Sequence, residues 1–364
     1  MEFIFKKEKF FIERYPKTDN KSLKAWSSAD EHILNYIKEH HVSIKNLIIY
    51  NDRFGFLSTV LSKHKPTTIL NFKSQEKAID INLKKNESAL ELIQKISPLE
   101  NLKNNFDLAL IKIPKSLDLF QLQLNQLHNS IDKESIVICA FMTKYFTRKI
   151  LSIAHEYFDI CEQSLAWKKS RLLTLRKKKK RKKEKFIHTI PFSGTKTFKQ
   201  YYGVFSSKNI DYATQFFIEN MKVKSSDNKI LDMACGNGIL AHAALKKTPN
   251  SEVYLLDDSM LALASSKMNI SSKKAKFYLN DTLNDFDDNT FDLIISNPPF
   301  HFGHETNIEI SLHLFKEAKR CLKKGGSFQL VTSNHLNSKT HLHKLFHKVQ
   351  IIAQNNKFMI YNCF

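Results

Sequence analysis

The segment Asn297-Pro298-Pro299-Phe300 combines residue types that can hold a planar amine for chemistry. Each of its first two residues precedes a proline, which restricts both to extended conformations, and the prolines lack backbone N–H groups. The Asn297 side-chain oxygen and the Pro298 carbonyl are predicted to accept hydrogen bonds from an –NH2 group, while Phe300 offers a ring face for a base. Two such acceptors would orient the amine so that its nitrogen faces the methyl group of a sulfonium methyl donor. The segment therefore predicts methyl transfer to nitrogen, against the alternative of a tight Pro-Pro turn closed by a core Phe.

A glycine-rich turn upstream, Asp232-Met233-Ala234-Cys235-Gly236-Asn237-Gly238, is typical of a nucleotide-like cofactor site. Its glycines permit a sharp strand-to-helix turn and a close backbone approach to a ligand. Asp257 follows 21 residues after Gly236, the spacing expected for an acid that binds ribose hydroxyls. This spacing also fits dinucleotide sites, so the corner at Asn297 is what favours a methyl donor.

Alternating strands and helices must position these residues. Apolar runs predict strands, and apolar residues at helical spacing predict the helices between them. The predicted strands are 229–232, 253–257, 277–279, 291–295 and 328–331, and the predicted helices are 239–247, 260–268 and 312–322. This order indicates an α/β fold with a mostly parallel sheet and helices on both faces, so the turn and the corner should share the carboxyl edge of the sheet.

The first half of the chain repeats this order without the chemistry. Asn71 takes the place of Asp257 after the second strand, and Phe106-Asp107-Leu108 matches the start of the fourth strand, 185 residues before Phe291. Lys112 stands at the position of Asn297. Several matches in one order predict an internal duplication; the alternative is two unrelated α/β domains.

Length and charge indicate the kind of partner. A chain of 364 residues suggests two domains, and a formal net charge of +21 points to a polyanion. No apolar run approaches a membrane span and the start lacks signal-peptide character, which favours nucleic acid over a membrane. Five scattered cysteines are typical of reduced thiols and predict a cytoplasmic protein.

The densest charge lies between Lys168 and Lys185, with twelve basic residues and one Glu. Like-charge repulsion predicts that the second half of this basic segment is a mobile loop or linker. We expect the basic segment to contact RNA phosphates, with a solvated linker as the alternative.

Particular strings of residues resemble one family. The glycine turn, Asp257 and the NPPF corner resemble class I methyltransferases that modify planar amines, and Gly203-Val204-Phe205-Ser206 is similar to the bacterial rRNA guanine-N2 methyltransferases. Strings in the first half, among them His64-Lys65-Pro66 and Leu165-Ala166-Trp167-Lys168-Lys169, resemble the branch that acts on 23S rather than 16S rRNA.

The resemblance implies two tandem class I (Rossmann-like) methyltransferase domains, each an α/β unit with a seven-stranded, mostly parallel sheet, the N-terminal copy being degenerate. Residues 1–175 would bind RNA, 176–199 would form a basic linker, and 200–364 would be catalytic. The implied chemistry is S-adenosylmethionine-dependent methylation of a guanine N2 amine in 23S rRNA by a monomer.

The resemblance also assigns residues. Asn297, Pro298 and Phe300 would be catalytic. The S-adenosylmethionine-binding residues would be Asp232, Cys235, Gly236, Gly238, Asp257, Asn280, Asp281 and Phe205. Two departures from the family pattern are Ala234 and Ala213, each standing where a glycine is expected; an alanine at 234 fits a negative φ.

The sequence is also compatible with other functions. NPPF-like corners also serve N6-adenine and protein glutamine methylation, although the +21 charge argues against a protein substrate. A 16S rRNA guanine, or a non-catalytic role in ribosome assembly on the same fold, are further alternatives. His343 and His347 have metal-ligand spacing, but Lys344 and Lys348 adjoin them and no Cys or carboxylate accompanies them, so we predict no metal site.

Overall fold

The computed structural model divides into two units, Met1–Phe186 and Ile187–Phe364. Backbone is described for residues 1–18, 20, 22–103, 105–181, 184–194, 196–207, 209–298, 301–302, 305–306 and 308–364, and side chains for the same residues except 193, 301–302, 305–306 and 308–310.

The first unit contains nine strands and five α-helices within the described ranges. Its strands are β1 (Glu2–Phe5), β2 (Glu8–Phe11), β3 (Leu47–Tyr50), β4 (Thr67–Ile69), β5 (Gln94–Ile96), β6 (Phe106–Lys112), β7 (Ile131–Met142), β8 (Phe158–Gln163) and β9 (Ser170–Lys178). Its helices are α1 (Ser28–Glu39), α2 (Phe56–Val60), α3 (Lys73–Lys85), α4 (Leu117–His128) and α5 (Arg148–Tyr157), with 3-10 turns at Ser62–His64, Leu90–Leu92 and Thr143–Tyr145.

The second unit repeats this plan. Its strands are β10 (Ile187–Ser193), β11 (Lys196–Tyr201), β12 (Lys229–Met233), β13 (Glu252–Asp257), β14 (Ala275–Leu279), β15 (Phe291–Ser296), β16 (His301–Phe302), β17 (Glu305–Thr306), β18 (Leu322–Ser333), β19 (Val349–Gln354) and β20 (Phe358–Cys363). Its helices are α6 (Tyr212–Asn220), α7 (Ile239–Lys247), α8 (Met260–Asn269), α9 (Ile308–Cys321) and α10 (Ser338–Leu345).

Both units have a seven-stranded sheet with one topology. The strand order is β5-β4-β3-β6-β7-β9-β8 in the first unit and β14-β13-β12-β15-β18-β20-β19 in the second. In each, the first five strands pair in parallel and the last two add as an antiparallel hairpin. The predicted pair of seven-stranded, mostly parallel α/β sheets is confirmed.

Alternation along each strand buries both faces of the sheet. In β12, Ile230 packs into a core with Phe217 of α6, while its neighbour Leu231 packs into a second core with Phe315 of α9. Two apolar faces require helices on both sides, which produces the three-layer α/β arrangement.

Matching local contacts support the duplication. The Asp107 side chain accepts hydrogen bonds from the backbone N–H groups of Lys45 and Asn46 before β3. Asp292 does the same for Asn228 and Lys229 at the start of β12, at 3.1 and 2.8 Å. Asp107 thereby joins β6 to the segment before β3, and Asp292 joins β15 to the start of β12. The two copies share this contact as well as their topology.

The predicted linker over 176–199 differs from the structure. Residues 176–178 complete β9, and β10 and β11 pair as an antiparallel hairpin within the second unit. Along the chain, the boundary between the two compact units lies between residues 186 and 187, because strand pairing extends each unit into the stretch that was predicted to connect them.

Part of the basic segment is folded into the first unit and contacts other residues there. Ser170–Lys178 is a strand between β7 and β8, so backbone pairing and burial of its leucines outweigh like-charge repulsion. Lys179 Nζ donates to the His155 carbonyl at 2.6 Å, and the Arg181 guanidinium lies 4.1 Å from the Tyr157 ring centroid. Lys182 and Lys183 lie outside the described residues. The prediction of a mobile second half is therefore wrong for Lys179 and Arg181.

In the part of the chain that the structure describes, none of the helices combines the length and apolar character needed to cross a bilayer.

Candidate active site

Strand register brings four strand ends to one edge of the second sheet. Met233 of β12 is the Cα partner of Leu256 in β13 and of Ser296 in β15. Asp257 is in turn paired with Leu279 of β14. The segments that follow these strands carry the predicted site residues, and they emerge side by side at the carboxyl edge, where ligands bind in α/β sheets.

The glycine turn after β12 has an alternating left-handed backbone. Ala234, Gly236 and Gly238 have φ of +60°, +55° and +82°. A Cβ at Gly238 would lie 3.1 Å from atoms of Ile270 and Ser266, so this position lets α7 start close to its neighbours. No described atom lies within 4 Å of a Cβ built on Gly236, which leaves that side of the turn open for a ligand. Ala234 has positive φ, contrary to the negative φ that would accommodate its methyl.

Asp257 joins the second strand to this turn. One carboxylate oxygen accepts from the Gly236 N–H at 2.9 Å and the other from the Ser259 N–H at 2.8 Å. Burial raises the pKa of Asp257 to about 6, against the lowering effect of these two hydrogen bonds. The carboxylate therefore holds the turn in shape and is ionised at neutral pH.

Asp232 is fully buried beneath the turn. Its Oδ2 accepts from the Ala241 N–H at 2.9 Å, while Oδ1 has no hydrogen-bond partner in the described part of the chain. Burial raises the pKa of Asp232 to about 7. Cys235 is also buried, and its N–H donates to the Leu256 carbonyl at 3.0 Å. Burial raises the pKa of the Cys235 thiol well above its usual range, so it stays protonated.

The segment after β14 is organised by Asn280. Its side-chain amide donates to Asp285 at 2.9 Å and its Oδ1 accepts from the Asp281 N–H at 2.9 Å. The Asn280 N–H donates to the Asp257 carbonyl at 3.2 Å, which links this segment to the end of β13.

These residues fit S-adenosylmethionine. The open face of Gly236 admits close approach, the Asp257 carboxylate can accept from ribose hydroxyls, and the unpartnered oxygen of Asp232 is an acceptor for a cationic amino group. The carboxylates also suit a cofactor that carries a positive sulfonium.

Asn297 follows β15 directly, and α6 holds its side chain. Asn297 Nδ2 donates to Thr214 Oγ1 at 2.9 Å and to Asp211 Oδ2 at 3.3 Å. Its Oδ1 accepts no hydrogen bond from any residue that the structure describes. Pro298 is buried, and Ser296 Oγ donates to the Met233 carbonyl at 2.7 Å, which ties the corner to the glycine turn. Pro299 and Phe300 lie outside the described residues.

The loop that carries Phe205 is joined to the glycine turn through Gln200. The buried Gln200 amide donates to the Phe205 and Ser206 carbonyls at 3.2 and 3.1 Å, and its Oε1 accepts from Asn237 Nδ2 at 2.8 Å. The Phe205 side chain is 71% exposed, so it is not part of the core. Its predicted role in cofactor binding stays a prediction.

The corresponding edge of the first sheet is filled by its own side chains. Asn51 Nδ2 donates to the Lys112 carbonyl and to Gln123 Oε1, each at 2.8 Å, and Asn51 Oδ1 accepts from Asn71 and Gln123 at 2.8 Å. Lys112 Nζ pairs with buried Asp30 at 3.0 Å. The polar groups at this edge of the first sheet thus bind one another, consistent with a degenerate copy.

Two residues of the site were not identified from the sequence. Thr214 and Gln200 make the hydrogen bonds that hold Asn297 and the Phe205 loop. A local signal existed for Thr214, because it is the third residue of a helix capped by Asp211. Gln200 lies in a strand that was not predicted, and nothing local marks it.

Comparisons with known proteins cover almost the whole chain. The family model "RLMG N-terminal domain" matches residues 1–180 and "Methyltransferase small domain" matches residues 195–362. Ribosomal RNA large subunit methyltransferase G of Pseudoalteromonas translucida (strain TAC 125) is 32% identical, over 96% of this chain and 94% of that protein. The Aeromonas salmonicida (strain A449) protein of the same name is 32% identical, over 95% and 94%.

A solved structure shares the fold of both units. The T. thermophilus 16S rRNA N2 methyltransferase, in complex with AdoMet and guanosine, has a TM-score of 0.78 and 16% identity, and the match covers 100% of this chain and 97% of that one. The tandem arrangement of two Rossmann-like sheets is therefore a known architecture.

Proposed function

Since the chain belongs to the ribosomal RNA large subunit methyltransferase G family, we propose that it methylates the N2 amine of a guanine in 23S rRNA with S-adenosylmethionine. The observation that carries the proposal is the register of β12 with β15. It sets the residue after Met233, where the glycine turn begins, beside the residue after Ser296, where the amine-binding corner begins.

The chemistry divides between the cofactor and the chain. Bound S-adenosylmethionine supplies an electrophilic methyl group. Asn297 Oδ1 and the Pro298 carbonyl accept hydrogen bonds from the two N–H groups of the amine and direct the nitrogen lone pair toward that methyl. The acceptors interact more strongly with the amine as it pyramidalises and gains positive charge, so their effect is on turnover more than on binding. The methylated nitrogen then loses one proton to water, and no strong base is required.

Phe300 completes this proposal from the sequence. An aromatic ring next to the corner provides a stacking surface for a guanine that has left its helix, an interaction of about 1–3 kcal/mol per base.

The net charge of the chain and the names of its sequence relatives support an RNA partner. A +21 chain attracts a polyanion, and the relatives that match at about 30% identity act, by their names, on the large ribosomal subunit's RNA. We assign RNA binding to the first unit, with exposed cations of the basic segment as phosphate contacts. The protein would act as a monomer in the cytoplasm.

The test uses the purified full chain with total rRNA from a strain that lacks its gene. After incubation with S-adenosylmethionine, the 23S and 16S rRNA are separated, digested to nucleosides and analysed by mass spectrometry. N2-methylguanosine that appears in 23S rRNA alone is the expected result. N6-methyladenosine, or product in 16S rRNA, would contradict the proposed substrate.

A variant pair tests the corner in the same assay. Asn297→Ala should lower kcat by roughly 100-fold or more, as expected for loss of a transition-state acceptor, with little change in RNA affinity. Asn228→Ala is the matched control, because Asn228 is exposed and precedes β12 at the opposite edge of the sheet. Equal turnover in the two variants would move the chemistry away from Asn297.

A further inference from the structure

The side chain of Asn297 can act as an acceptor only if its amide faces the right way. An asparagine amide has one oxygen and one –NH2 group of nearly equal size, so a half-turn about χ2 would exchange an acceptor for a donor. A donor in that place would face the protons of the target amine. The corner therefore needs a device that selects one of the two orientations.

Asp211, the N-cap of α6, and Thr214 in its first turn together favour one orientation. Asp211 and Thr214 both lie on the –NH2 side of Asn297, within 3.3 and 2.9 Å. A carboxylate such as that of Asp211 offers acceptors and no donor. The same oxygen, Oδ2, also accepts from the Ala213 and Thr214 N–H groups as the N-cap of α6, which fixes its position. The flipped amide would set its oxygen against a carboxylate.

Burial makes the selection rigid. Thr214 is 7% exposed, and α6 is anchored by Phe217, which is fully buried against the sheet. β-Branching restricts a helical threonine to two main χ1 rotamers, and the one observed for Thr214 directs Oγ1 at Asn297. Asn297 Oδ1, in contrast, accepts no hydrogen bond from the described residues.

We infer that Thr214, with Asp211, is a positioning residue for methyl transfer: it holds the Asn297 amide so that the oxygen, not the –NH2 group, meets the target amine. The inference rests on the proposed function, because it presumes that Asn297 receives a planar amine. It adds to that function a residue that acts through Asn297.

The first unit shows what a merely structural connection looks like. Lys112 stands at the position of Asn297, and its ammonium pairs with Asp30 in the first turn of α1. This ion pair joins the end of β6 to the start of α1, as the Asn297 contacts join β15 to the start of α6, but the Lys112 ammonium presents no acceptor. The test must therefore separate orientation of the amide from tethering of the strand end.

The primary variant is Thr214→Val, which keeps the shape of the side chain and removes the acceptor. We expect kcat to fall roughly three- to tenfold, the effect of losing one hydrogen bond, with KM for rRNA and the dissociation constant of S-adenosylmethionine unchanged. Thr214→Ser restores the hydroxyl and should restore most of kcat. Thr248→Val is the matched control, since Thr248 is equally buried and donates to the Ala244 carbonyl at 3.1 Å at the end of α7.

A double-mutant cycle gives the decisive readout. In the Asn297→Ala background there is no amide to orient, so adding Thr214→Val should change kcat by less than about twofold. An equal loss in both backgrounds, or a Thr214→Ser variant as slow as Thr214→Val, would overturn the inference and leave a structural tether. Thermal unfolding and cofactor binding, measured for each variant, confirm that the chain is folded.

The outcomes also separate this inference from the proposed function. If the wild-type chain methylates a different planar amine, the proposed substrate fails, and the cycle still decides the role of Thr214 on that amine. If Asn297→Ala keeps full turnover, both fail.

Discussion

Ala234 offers a direct test of the backbone geometry of the cofactor turn. Its φ of +60° lies in the left-handed region, where an L-residue with a Cβ is strained by about 1–2 kcal/mol. Glycine has no Cβ and adopts this conformation freely. Ala234→Gly should therefore stabilise the second unit, although a glycine in a strand or helix usually does the opposite.

The size of the effect follows from two opposing contributions. Relief of left-handed strain favours the variant by about 1–2 kcal/mol. The greater freedom of glycine in the unfolded chain costs about 0.4–1 kcal/mol. The net gain is about 0.5–1 kcal/mol, which corresponds to roughly 1–4 °C in Tm for a unit of this size.

Calorimetry of the full chain measures this shift, and tryptophan fluorescence supplies an internal control. The chain has two tryptophans, Trp26 and Trp167, and both lie in the first unit. The fluorescence transition should not move, while the calorimetric transition of the second unit should rise. Ala275→Gly is the matched variant, a half-buried alanine within β14, and should lower the same transition. A fall in Tm for Ala234→Gly like that for Ala275→Gly would refute the reasoning.

Three further outcomes are expected. Gly238→Ala should destabilise the second unit more than Gly325→Ala in urea unfolding, because both have φ of +82° but only at Gly238 would a Cβ meet atoms at 3.1 Å. In calorimetric titrations, S-adenosylmethionine affinity should fall about tenfold from pH 7 to pH 5, because Asp257, with a pKa raised to about 6, takes up a proton and loses the charge that accepts from ribose hydroxyls. The Asp257→Asn variant should bind the cofactor weakly and with a flatter pH profile. A wild-type affinity that is constant over this range would exclude the role of Asp257. Replacing exposed Lys177 and Lys180 by Ser should reduce the slope of log affinity for rRNA against log salt by about 1.5, while an unchanged slope would leave these cations as solvated surface charges.

Much of the second unit could be predicted from local sequence. The helix predicted over 239–247 has those limits in the structure, because Gly238 at its start supplies the left-handed N-cap and apolar residues recur at helical spacing. The separation between Gly236 and Asp257 predicted an acid near the glycine turn that binds ribose hydroxyls; the structure joins the two residues by a 2.9 Å hydrogen bond, and the ribose contact stays a prediction. Such features depend on backbone stereochemistry and short-range spacing, which the sequence expresses directly.

Local charge alone wrongly predicts a mobile second half for the basic segment, because it takes no account of the residues that pair with it. Repulsion among neighbouring cations argued for a mobile chain, but Ser170–Lys178 pairs with two other strands and buries Leu172, Leu173 and Leu175. Arg181 likewise finds Glu156 and the Tyr157 ring, which are more than 20 positions away. Non-local pairing and burial override a local preference, and a single sequence does not show which strand will be the partner.

The sequence by itself determined the type of chemistry, because an acceptor-rich Asn-Pro-Pro corner and a glycine turn followed by an acid limit what can bind. Only the tertiary structure decided how the corner is held. Asn297 donates a hydrogen bond to Thr214, 83 positions earlier in the chain, and Ala234 takes a left-handed conformation although it is not glycine. The Asn297 contact depends on how α6 packs against the sheet, and such long-range contacts have no fixed spacing in the sequence.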